Sequence, residues 1–300
     1  MRIGIAGVGK MGTAIALRLI EVGHEVWLWN RSPEKLAPLQ AAGANVAGTA
    51  AALATAVEVI ITILSTAEAQ QSVYEGASGL LAGAIAGKLV IDMSTVQPAA
   101  AQALAAKVQG KAASFIECPV GGTTGPARQG KLLGLAGGAA GDVARARPLL
   151  DQICRRLEHV GPIGAGASMK LAINLPLLVA YQALGEAYVL CAHLGLDAKA
   201  LMELFADTSG APNILKVRGP AVAEALAGGT GITATFDVDS IRKDLRAMIA
   251  EAKLQGAQLP LAERTLAIYD EAAGAGWGGR DGSSLPAYWP RHLRKPGASA

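Results

Sequence analysis

The stretch Arg2-Ile-Gly-Ile-Ala-Gly7-Val-Gly-Lys-Met-Gly12 decides the fold of this 300-residue chain. A short apolar run precedes the three glycines, a helical pattern follows through Leu19, and Glu25 to Trp29 forms the next apolar run. This strand-helix-strand unit has the size that the G-x-G-x-x-G fingerprint requires. In such a unit the pyrophosphate of a dinucleotide lies at the helix N-terminus, where free N–H groups and the helix dipole favour an anion. The predicted cofactor contacts here are Gly7, Val8, Gly9, Lys10, Met11 and Gly12.

The residues after the second strand indicate which nicotinamide cofactor fits. An acidic side chain there would bond the ribose 2′-hydroxyl and repel a 2′-phosphate. The chain has Asn30, Arg31 and Ser32 instead, so a guanidinium and a hydroxyl replace the carboxylate. We therefore predict NADP, with NAD as the alternative. Ser32 before Pro33 is also an ordinary start for the next helix.

Apolar runs and helical patterns alternate up to about residue 162. The runs are Val57 to Leu64, Lys88 to Asp92, Ala113 to Glu117, Lys131 to Ala136 and Arg156 to Val160. This alternation predicts the α/β class, with a doubly wound, mainly parallel sheet of the Rossmann type and ligands at the carboxyl ends of its strands.

Three loops fall at that edge of the predicted sheet. They are Leu64-Ser65-Thr66, a predicted cofactor contact, Asp92 to Pro98, and Pro119 to Thr124, in which Gly121-Gly122 could form a nest for an oxyanion. Serine, threonine and glycine are equally ordinary turn residues, so each loop alone is explained as well by turn formation.

Beyond residue 162 only helical periods remain. They cover Ser168 to Leu196, Asp197 to Phe205, Asn213 to Leu226, Asp237 to Leu254 and Leu261 to Ala273. We therefore predict a dinucleotide-binding domain over residues 1–162 and an all-α domain for substrate binding and oligomerisation over 163–300, with one long interdomain helix.

Two polar residues share a face at the start of that long helix. Lys170 and Asn174 are four residues apart on an otherwise apolar rod. If Ser168 is the N-cap, the helix dipole lowers the pKa of Lys170 toward neutrality, which suits a proton donor and acceptor. The alternative is a surface lysine and a core asparagine bonded to backbone.

Composition argues against several other classes. The net charge is only +3, and basic residues cluster only near the end, at Arg291, Arg294 and Lys295, so a nucleic-acid partner has little support. Polar residues such as Asn174 and Glu186 interrupt the apolar helix, which argues against a membrane span. Three widely spaced cysteines and four scattered histidines favour a cytoplasmic protein with no metal site.

Six motifs in order resemble the β-hydroxyacid dehydrogenase family, which includes 3-hydroxyisobutyrate dehydrogenase and tartronate semialdehyde reductase. They are Gly7-x-Gly-x-x-Gly12, Asp92-x-Ser-Thr-x-x-Pro98, Pro119-Val-x-Gly with Gly130 and Gly137-Gly138, Gly166 to Lys170 with Asn174, Lys243-Asp244, and Gly276-x-Gly-x-x-Asp281-x-Ser283. The resemblance extends to about Ser284.

The resemblance implies a role for each matching residue. Lys170 is then the catalytic acid/base and Asn174 helps to hold the substrate oxygen. Thr95 and Lys243 contact the cofactor. The acid group of the substrate is positioned by Ser94, Thr95, Gly121, Gly122 and Thr123. The implied reaction transfers a hydride between the nicotinamide and a short-chain 3-hydroxy acid or its semialdehyde. Family members form homodimers or homotetramers through the helical domain.

One departure leaves the substrate open. Gly121 stands where many members have a serine, and the loop looks like that of sulfolactaldehyde reductases, although Gly122 replaces their arginine. An imine reductase is a further alternative, since such enzymes resemble this fold, but Lys170 argues for an oxygen substrate. A non-catalytic NADP-binding module is the alternative from another class.

Overall fold

The computed structural model describes residues 1–208 and 213–292, so Arg294 and Lys295 lie outside the described part of the chain. The chain divides into two compact units, Met1–Leu171 and Ala172–Ala300. This division falls after the boundary placed at residue 162, because the first turn of the long helix is bonded to the first unit.

The first unit alternates strands and helices. Its strands are β1 (Arg2–Ala6), β2 (Glu25–Trp29), β3 (Asn45–Val46), β4 (Val59–Thr62), β5 (Leu89–Asp92), β6 (Ser114–Glu117), β7 (Val120–Gly121), β8 (Leu132–Gly137) and β9 (Cys154–Gly161). Its helices are α1 (Lys10–Glu21), α2 (Ala37–Ala41), α3 (Ala50–Ala56), α4 (Ala67–Glu75), α5 (Pro98–Gln109), α6 (Thr124–Arg128) and α7 (Ala140–Leu150).

One sheet contains all of these strands, in the order β3-β2-β1-β4-β5-β6-β8-β7, with β9 beside β8. The pairs from β3 to β6 are parallel, β8 is antiparallel to β6 and β7, and β9 is parallel to β8. The fold class is therefore confirmed. Strand order reverses between β1 and β4, which places a topological switch point, the usual ligand position, at their carboxyl ends.

Burial on both faces explains the sequence of the central strands. All four residues of β4, Val59 to Thr62, are buried, as are those of β5. On one face Ile3, Ile5 and Leu28 pack in a core with α1, and on the other Ala6 and Ile60 pack in a second core with α3. Near-continuous apolar runs are what parallel strands covered on both sides require.

The sequence missed the two shortest strands. Asn45–Val46 and Val120–Gly121 have two residues each, too few for any apolar alternation to register.

Helices form the second unit. They are α9 (Ala198–Ala206), α10 (Asn213–Leu226), α11 (Val238–Leu254) and α12 (Pro260–Ala272), together with most of α8 (Ala165–Cys191). Asp197 and Asp237 cap α9 and α11, accepting the N–H groups of Ala200 at 3.0 Å and Ser240 at 2.9 Å. These caps explain why both helices start where the sequence predicts.

The start of α8 corrects the prediction. Ser168 is not the N-cap, because its own N–H bonds the carbonyl of Gly164 at 3.0 Å and the helix already begins at Ala165. Lys170 therefore lies in the second turn, one turn further from the helix end than predicted.

Candidate active site

The glycine turn after β1 is sterically required at two positions. Gly7 has a φ of 104°, and a Cβ there would collide with the Ile63 carbonyl and lie 2.9 Å from a Leu64 methyl. A Cβ on Gly12 would collide with the Gly7 carbonyl, so α1 can pack against the turn only with glycine there. Both glycines belong to the fingerprint Gly7-x-Gly-x-x-Gly12.

Gly9 has a different reason to be glycine. A Cβ on it would meet nothing within 4 Å, so the open space above it is available to a ligand. Gly9 is the N-cap of α1, and among the described side chains none caps that helix and none in its first turn is acidic. An uncapped helix N-terminus beside open space fits the pyrophosphate of a dinucleotide.

Asn30 connects the glycine turn to the end of β2. Its Oδ1 accepts the N–H of Val8 at 3.0 Å, and its Nδ2 donates to the Ser32 carbonyl at 3.0 Å. Both ends of the amide are therefore used, and this assigns its orientation. Asn30 contributes to the cofactor site by holding two of its walls.

A cleft of about 400 Å³ lies over this turn. Eight predicted cofactor residues line it, namely Gly7, Val8, Gly9, Asn30, Arg31, Ser32, Leu64 and Ser65. Trp29, Lys35, Ser72, Gly76 and Gly79 also line it, among others. The end formed by Arg31, Ser32 and Lys35 presents two cations and a hydroxyl, which suits a phosphate on the ribose.

The remaining cofactor residues lie elsewhere. Lys10, Gly12 and Thr95 are not among the described residues that line the cleft. Met11 packs against the apolar core because its position on α1 faces the sheet. Thr66 caps α4, accepting the N–H of Ala69 at 3.1 Å.

Lys35 is a charged lining residue of the cleft that the sequence analysis missed. Its signal was available, since it is a second cation four residues after Arg31. Arg31 lies before the short 3-10 turn Pro33–Lys35, so no regular helical spacing relates the two cations in the sequence.

A buried network holds the loops that follow β4 and β5. Asp92 Oδ1 accepts hydrogen bonds from the hydroxyls of Thr62 and Ser94, both at 2.7 Å, and its Oδ2 accepts one from Gln70 at 2.7 Å. Thr62 gives its proton to Asp92, so Tyr74 is the donor in the 2.8 Å contact with Thr62. Burial raises the pKa of Asp92, although the bonds from Thr62, Ser94 and Gln70 oppose the shift.

Lys170 lies in the first unit, as do the loops that contain Ser94 and Gly121. Its side chain is only 8% exposed. Thr95, Gly121 and Thr123 are half-buried. The sequence-predicted proton donor is therefore a shielded side chain, as general acid/base catalysis in a dry site requires.

In the second unit, Asp244 contacts the other two predicted polar residues, Asn174 and Lys243. Asn174 Nδ2 donates to Asp244 Oδ2 at 3.3 Å, and Lys243 Nζ lies 3.0 Å from Asp244 Oδ1. Asp244 is 2% exposed, so its charge is compensated within α11 and α8 rather than by bulk water. Sequence reasoning treated Lys243-Asp244 as a motif but did not foresee that Asp244 would orient Asn174.

Residues 1–208 and 213–292 contain no candidate metal site, defined as three or more histidine, cysteine, aspartate or glutamate side chains arranged to hold an ion.

The Rossmann-type sheet, the glycine turn and the cation-lined cleft define a dinucleotide-dependent oxidoreductase. Residues 2–161 match the family described as the NAD binding domain of 6-phosphogluconate dehydrogenase. Residues 164–289 match the NAD-binding domain of NADP-dependent 3-hydroxyisobutyrate dehydrogenase. The chain belongs to the β-hydroxyacid dehydrogenase family and is an NAD(P)-dependent oxidoreductase.

Individual relatives agree with this assignment. The 3-hydroxyisobutyrate dehydrogenase of Pseudomonas aeruginosa is 33% identical over 86% of this chain and 88% of its own length. The 3-sulfolactaldehyde reductase of Escherichia coli is 33% identical over 94% of each chain. A solved structure of Psf3 with NADP+ and 2-OPP is 29% identical, has a TM-score of 0.86, and covers 95% of this chain and 99% of its own.

Proposed function

We propose that this protein transfers a hydride between NADP(H) and a short-chain 3-hydroxy acid or its semialdehyde, with Lys170 as the general acid/base. The burial of Lys170 in the unit that binds the dinucleotide carries the proposal. Lysine is among the residues least often buried, and a shielded ammonium is suited to exchanging a proton with a reacting oxygen. The relatives named as hydroxyacid dehydrogenases and semialdehyde reductases support the substrate class.

The bound nicotinamide would supply or accept the hydride. Lys170 Nζ donates a proton to the aldehyde oxygen in reduction and removes the hydroxyl proton in oxidation. Within the second unit, Asp244 orients Asn174, the residue that the family resemblance assigns to the substrate oxygen. Lys170 therefore acts on the oxygen rather than on the carbon that receives the hydride.

The acid group of the substrate is assigned to the loop from Gly121 to Thr123. Gly121 ends β7, and Gly122 has a φ of 119°, which turns the chain toward α6. Thr123 is the N-cap residue of α6, yet its hydroxyl makes no cap bond within the described part of the chain. Backbone N–H groups and this hydroxyl suit a carboxylate.

A sulfonate is the second candidate for the acid group. The 33% identity to a 3-sulfolactaldehyde reductase favours it, together with a loop that has glycine at position 121. A tetrahedral sulfonate has three acceptor oxygens, so a loop of backbone donors accommodates it as well as a planar carboxylate.

A substrate panel with a lysine variant tests the proposal. NADPH consumption is measured with succinic semialdehyde, glyoxylate, sulfolactaldehyde and a cyclic imine. We expect turnover with an aldehyde acid and none with the imine. Lys170→Ala should lower kcat by at least about a hundredfold, which is the lower end of the range for the loss of a general acid. Lys111→Ala, on the surface of the same unit, should match the wild type. Retention of most of the kcat by Lys170→Ala would refute the acid/base role.

We also infer that the partner of this chain is a second copy of itself. Large apolar side chains on and after α8 are exposed, with Leu190 79%, Leu194 58% and Leu196 51% accessible. A groove of about 870 Å³ in the second unit is lined mainly by apolar side chains of α8 and the start of α12, including Val179 and Leu261. Exposed apolar surface of this kind supports self-association.

A lipid bilayer is the competing partner for that surface. The helical stretch Ala165–Leu194 has a mean hydropathy of 1.4 and is long enough to span a membrane, and 28% of its apolar window is buried. However, Gln182 and Glu186 bond to each other at 2.9 Å midway along it, and a charged side chain at that depth is costly in lipid. The polar middle favours a protein partner.

A further inference from the structure

Glu117 ends β6 and is a buried carboxylate that sequence analysis did not select. Its side chain is 2% exposed. Oε1 accepts the N–H of Gly164 at 2.5 Å and that of Gly166 at 2.9 Å, and the N–H of Ala167 also bonds the carboxylate. Gly164 directly precedes α8, and Gly166 and Ala167 belong to the first turn of this helix, which contains Lys170.

No local residue of α8 could provide this cap. A helix leaves its first N–H groups without intrahelical partners, and a polar side chain at the N-cap usually satisfies one of them. The residue at that position is Gly164, which has no side chain, and Ala165 to Ala167 add none with a polar atom. The helix therefore depends on a carboxylate 47 residues earlier in the chain.

Two glycines leave room for the carboxylate. A Cβ on Gly137 would collide with Glu117 Oε1 and lie 2.9 Å from the Pro162 carbonyl. A Cβ on Gly166 would collide with the Leu135 carbonyl and lie 3.3 Å from Glu117 Cγ and Cδ. Strand β8 and helix α8 thus form a fitted pocket around the side chain, and this explains the glycines at 137 and 166 in the sequence motifs.

The surroundings of Glu117 act on its pKa in opposite directions. Burial raises the pKa of Glu117, the N–H groups of Gly164, Gly166 and Ala167 counteract that rise, and the charge of Asp92 on the adjacent strand adds to it. Burial also raises the pKa of the neighbouring Cys118 thiol well above its usual range. His159 on β9 bonds the carbonyls of Gly138 and Gly161 at 2.9 and 3.0 Å. Three backbone N–H groups at the start of α8 are therefore directed at the Glu117 carboxylate.

We propose that Glu117 is the positioning residue for Lys170 and for the substrate loop. Its carboxylate fixes the turn of α8 that ends at Ala167, three residues before Lys170. Beyond Glu117 the chain continues through Cys118 and Pro119 into Val120-Gly121, the proposed acid-group loop. One buried side chain therefore sets the distance between the proposed proton donor and the proposed anion-binding loop. This inference rests on the proposed function.

The charge has a second effect on the same turn. An anion at a helix N-terminus opposes the positive end of the helix dipole, and so stabilises an ammonium near that end. Replacing Glu117 with glutamine keeps an acceptor oxygen for Gly164 and Gly166 but removes the charge. Replacing it with alanine removes both, so the two variants separate placement from charge.

Two measurements on the full-length protein test the proposal. Hydrogen exchange of the amides from Gly164 to Lys170 requires no substrate, and it should accelerate at least tenfold in Glu117→Ala and less in Glu117→Gln. Steady-state kinetics should show kcat lowered at least tenfold in Glu117→Ala and partly rescued in Glu117→Gln, whose kcat pH profile moves about half a unit toward acid. The dissociation constant for NADPH should stay within twofold of wild type, because the cleft is lined by other residues. Glu58→Gln, an exposed partner of Arg2, is the matched control.

Each alternative result has a defined meaning. Unchanged exchange in both variants would overturn the capping role, and faster exchange with unchanged kcat would overturn the positioning role. If Glu117→Ala does not fold, Glu117→Gln decides through its exchange rate and pH profile. Turnover retained in Lys170→Ala, with faster exchange in the Glu117 variants, would refute the proposed function while leaving the cap intact.

Discussion

Ser94 donates its only hydroxyl proton to Asp92, with an Oγ to Oδ1 distance of 2.7 Å. Ser94 Oγ also accepts a hydrogen bond from the N–H of Leu64 at 2.9 Å. The side chain that the family resemblance assigns to the substrate therefore connects two loops of the first unit. Leu64 lines the dinucleotide cleft, so this connection extends to the wall of that cleft.

Ser94→Ala should weaken cofactor binding more than substrate binding. The variant leaves the half-buried Leu64 N–H without its acceptor, and the loss of such a hydrogen bond costs about 1 kcal/mol. We expect the dissociation constant for NADPH to rise about three- to tenfold, while the KM for substrate at saturating cofactor changes less. Calorimetric titration and initial rates measure the two quantities. Ser114→Ala, at the first residue of β6 and so at the opposite edge of the sheet from the cleft, is the control. A rise confined to the substrate KM would contradict the prediction.

Arg31→Ala and Lys35→Ala should each reduce the preference for NADPH. Both residues line the end of the cleft beside Ser32, and a charge-assisted hydrogen bond contributes about 1.5–3 kcal/mol. We expect KM for NADPH to rise at least tenfold in either variant, with KM for NADH changed less than twofold. Glu34→Gln, exposed between them, is the control. Equal loss with both cofactors would show that these cations do not read the 2′-phosphate.

Asp281→Asn should destabilise the second unit in a pH-dependent way. Burial would raise the pKa of Asp281, but bonds from Ser283, Thr235 and Phe236 outweigh it and lower the pKa below 3.8. A lowered pKa means that the ionised carboxylate stabilises the folded state above about pH 4, and that this stabilisation is lost as pH falls through the folded-state pKa.

We therefore expect Asp281→Asn to lower the free energy of unfolding by about 2 kcal/mol at pH 7. The difference from wild type should be constant between pH 8 and about pH 5 and then narrow below the usual pKa of 3.8. Urea denaturation across this range measures it, with exposed Asp207→Asn as the control. A difference that widens toward acid would contradict the assignment.

Leu190→Glu should disrupt self-association. The side chain is 79% exposed, and a carboxylate there would have to lose its water in an apolar contact. We expect light scattering to give the mass of two or four chains for wild type and a smaller assembly for the variant. Lys199→Glu, equally exposed on α9, should keep the wild-type mass. Identical masses for wild type and Leu190→Glu would place the contact elsewhere, and recovery of wild type only in detergent would favour the bilayer.

Local patterns made the first half of the fold predictable. Arg2–Ala6 and Glu25–Trp29 occur with the predicted bounds, because a buried parallel strand is a continuous apolar run that glycines end. The start of α9 and that of α11 are also predictable locally, because Asp197 and Asp237 each cap an N–H only three residues further along the chain.

The start of α8 was not predictable, because its cap comes from Glu117 on another strand. The local sequence predicts Ser168 as the N-cap, since serine is favoured at that position. The connections of Asn30 to Val8 and of Asn174 to Asp244 were hidden for the same reason. Each joins residues more than twenty positions apart. Residue types indicated the chemistry of the site, whereas its supports arise only when the sheet is assembled.

The bonds of Asn30 and Ser94 have a consequence for how the cofactor arrives. They tie down the glycine turn, the end of β2 and the Leu64 loop through hydrogen bonds within the chain itself. An incoming dinucleotide then has few backbone torsions to freeze, so little of its contact energy is spent on conformational entropy. The cofactor should therefore bind to a largely preformed site. Variants with tighter or weaker binding should differ mainly in the dissociation rate constant of the cofactor.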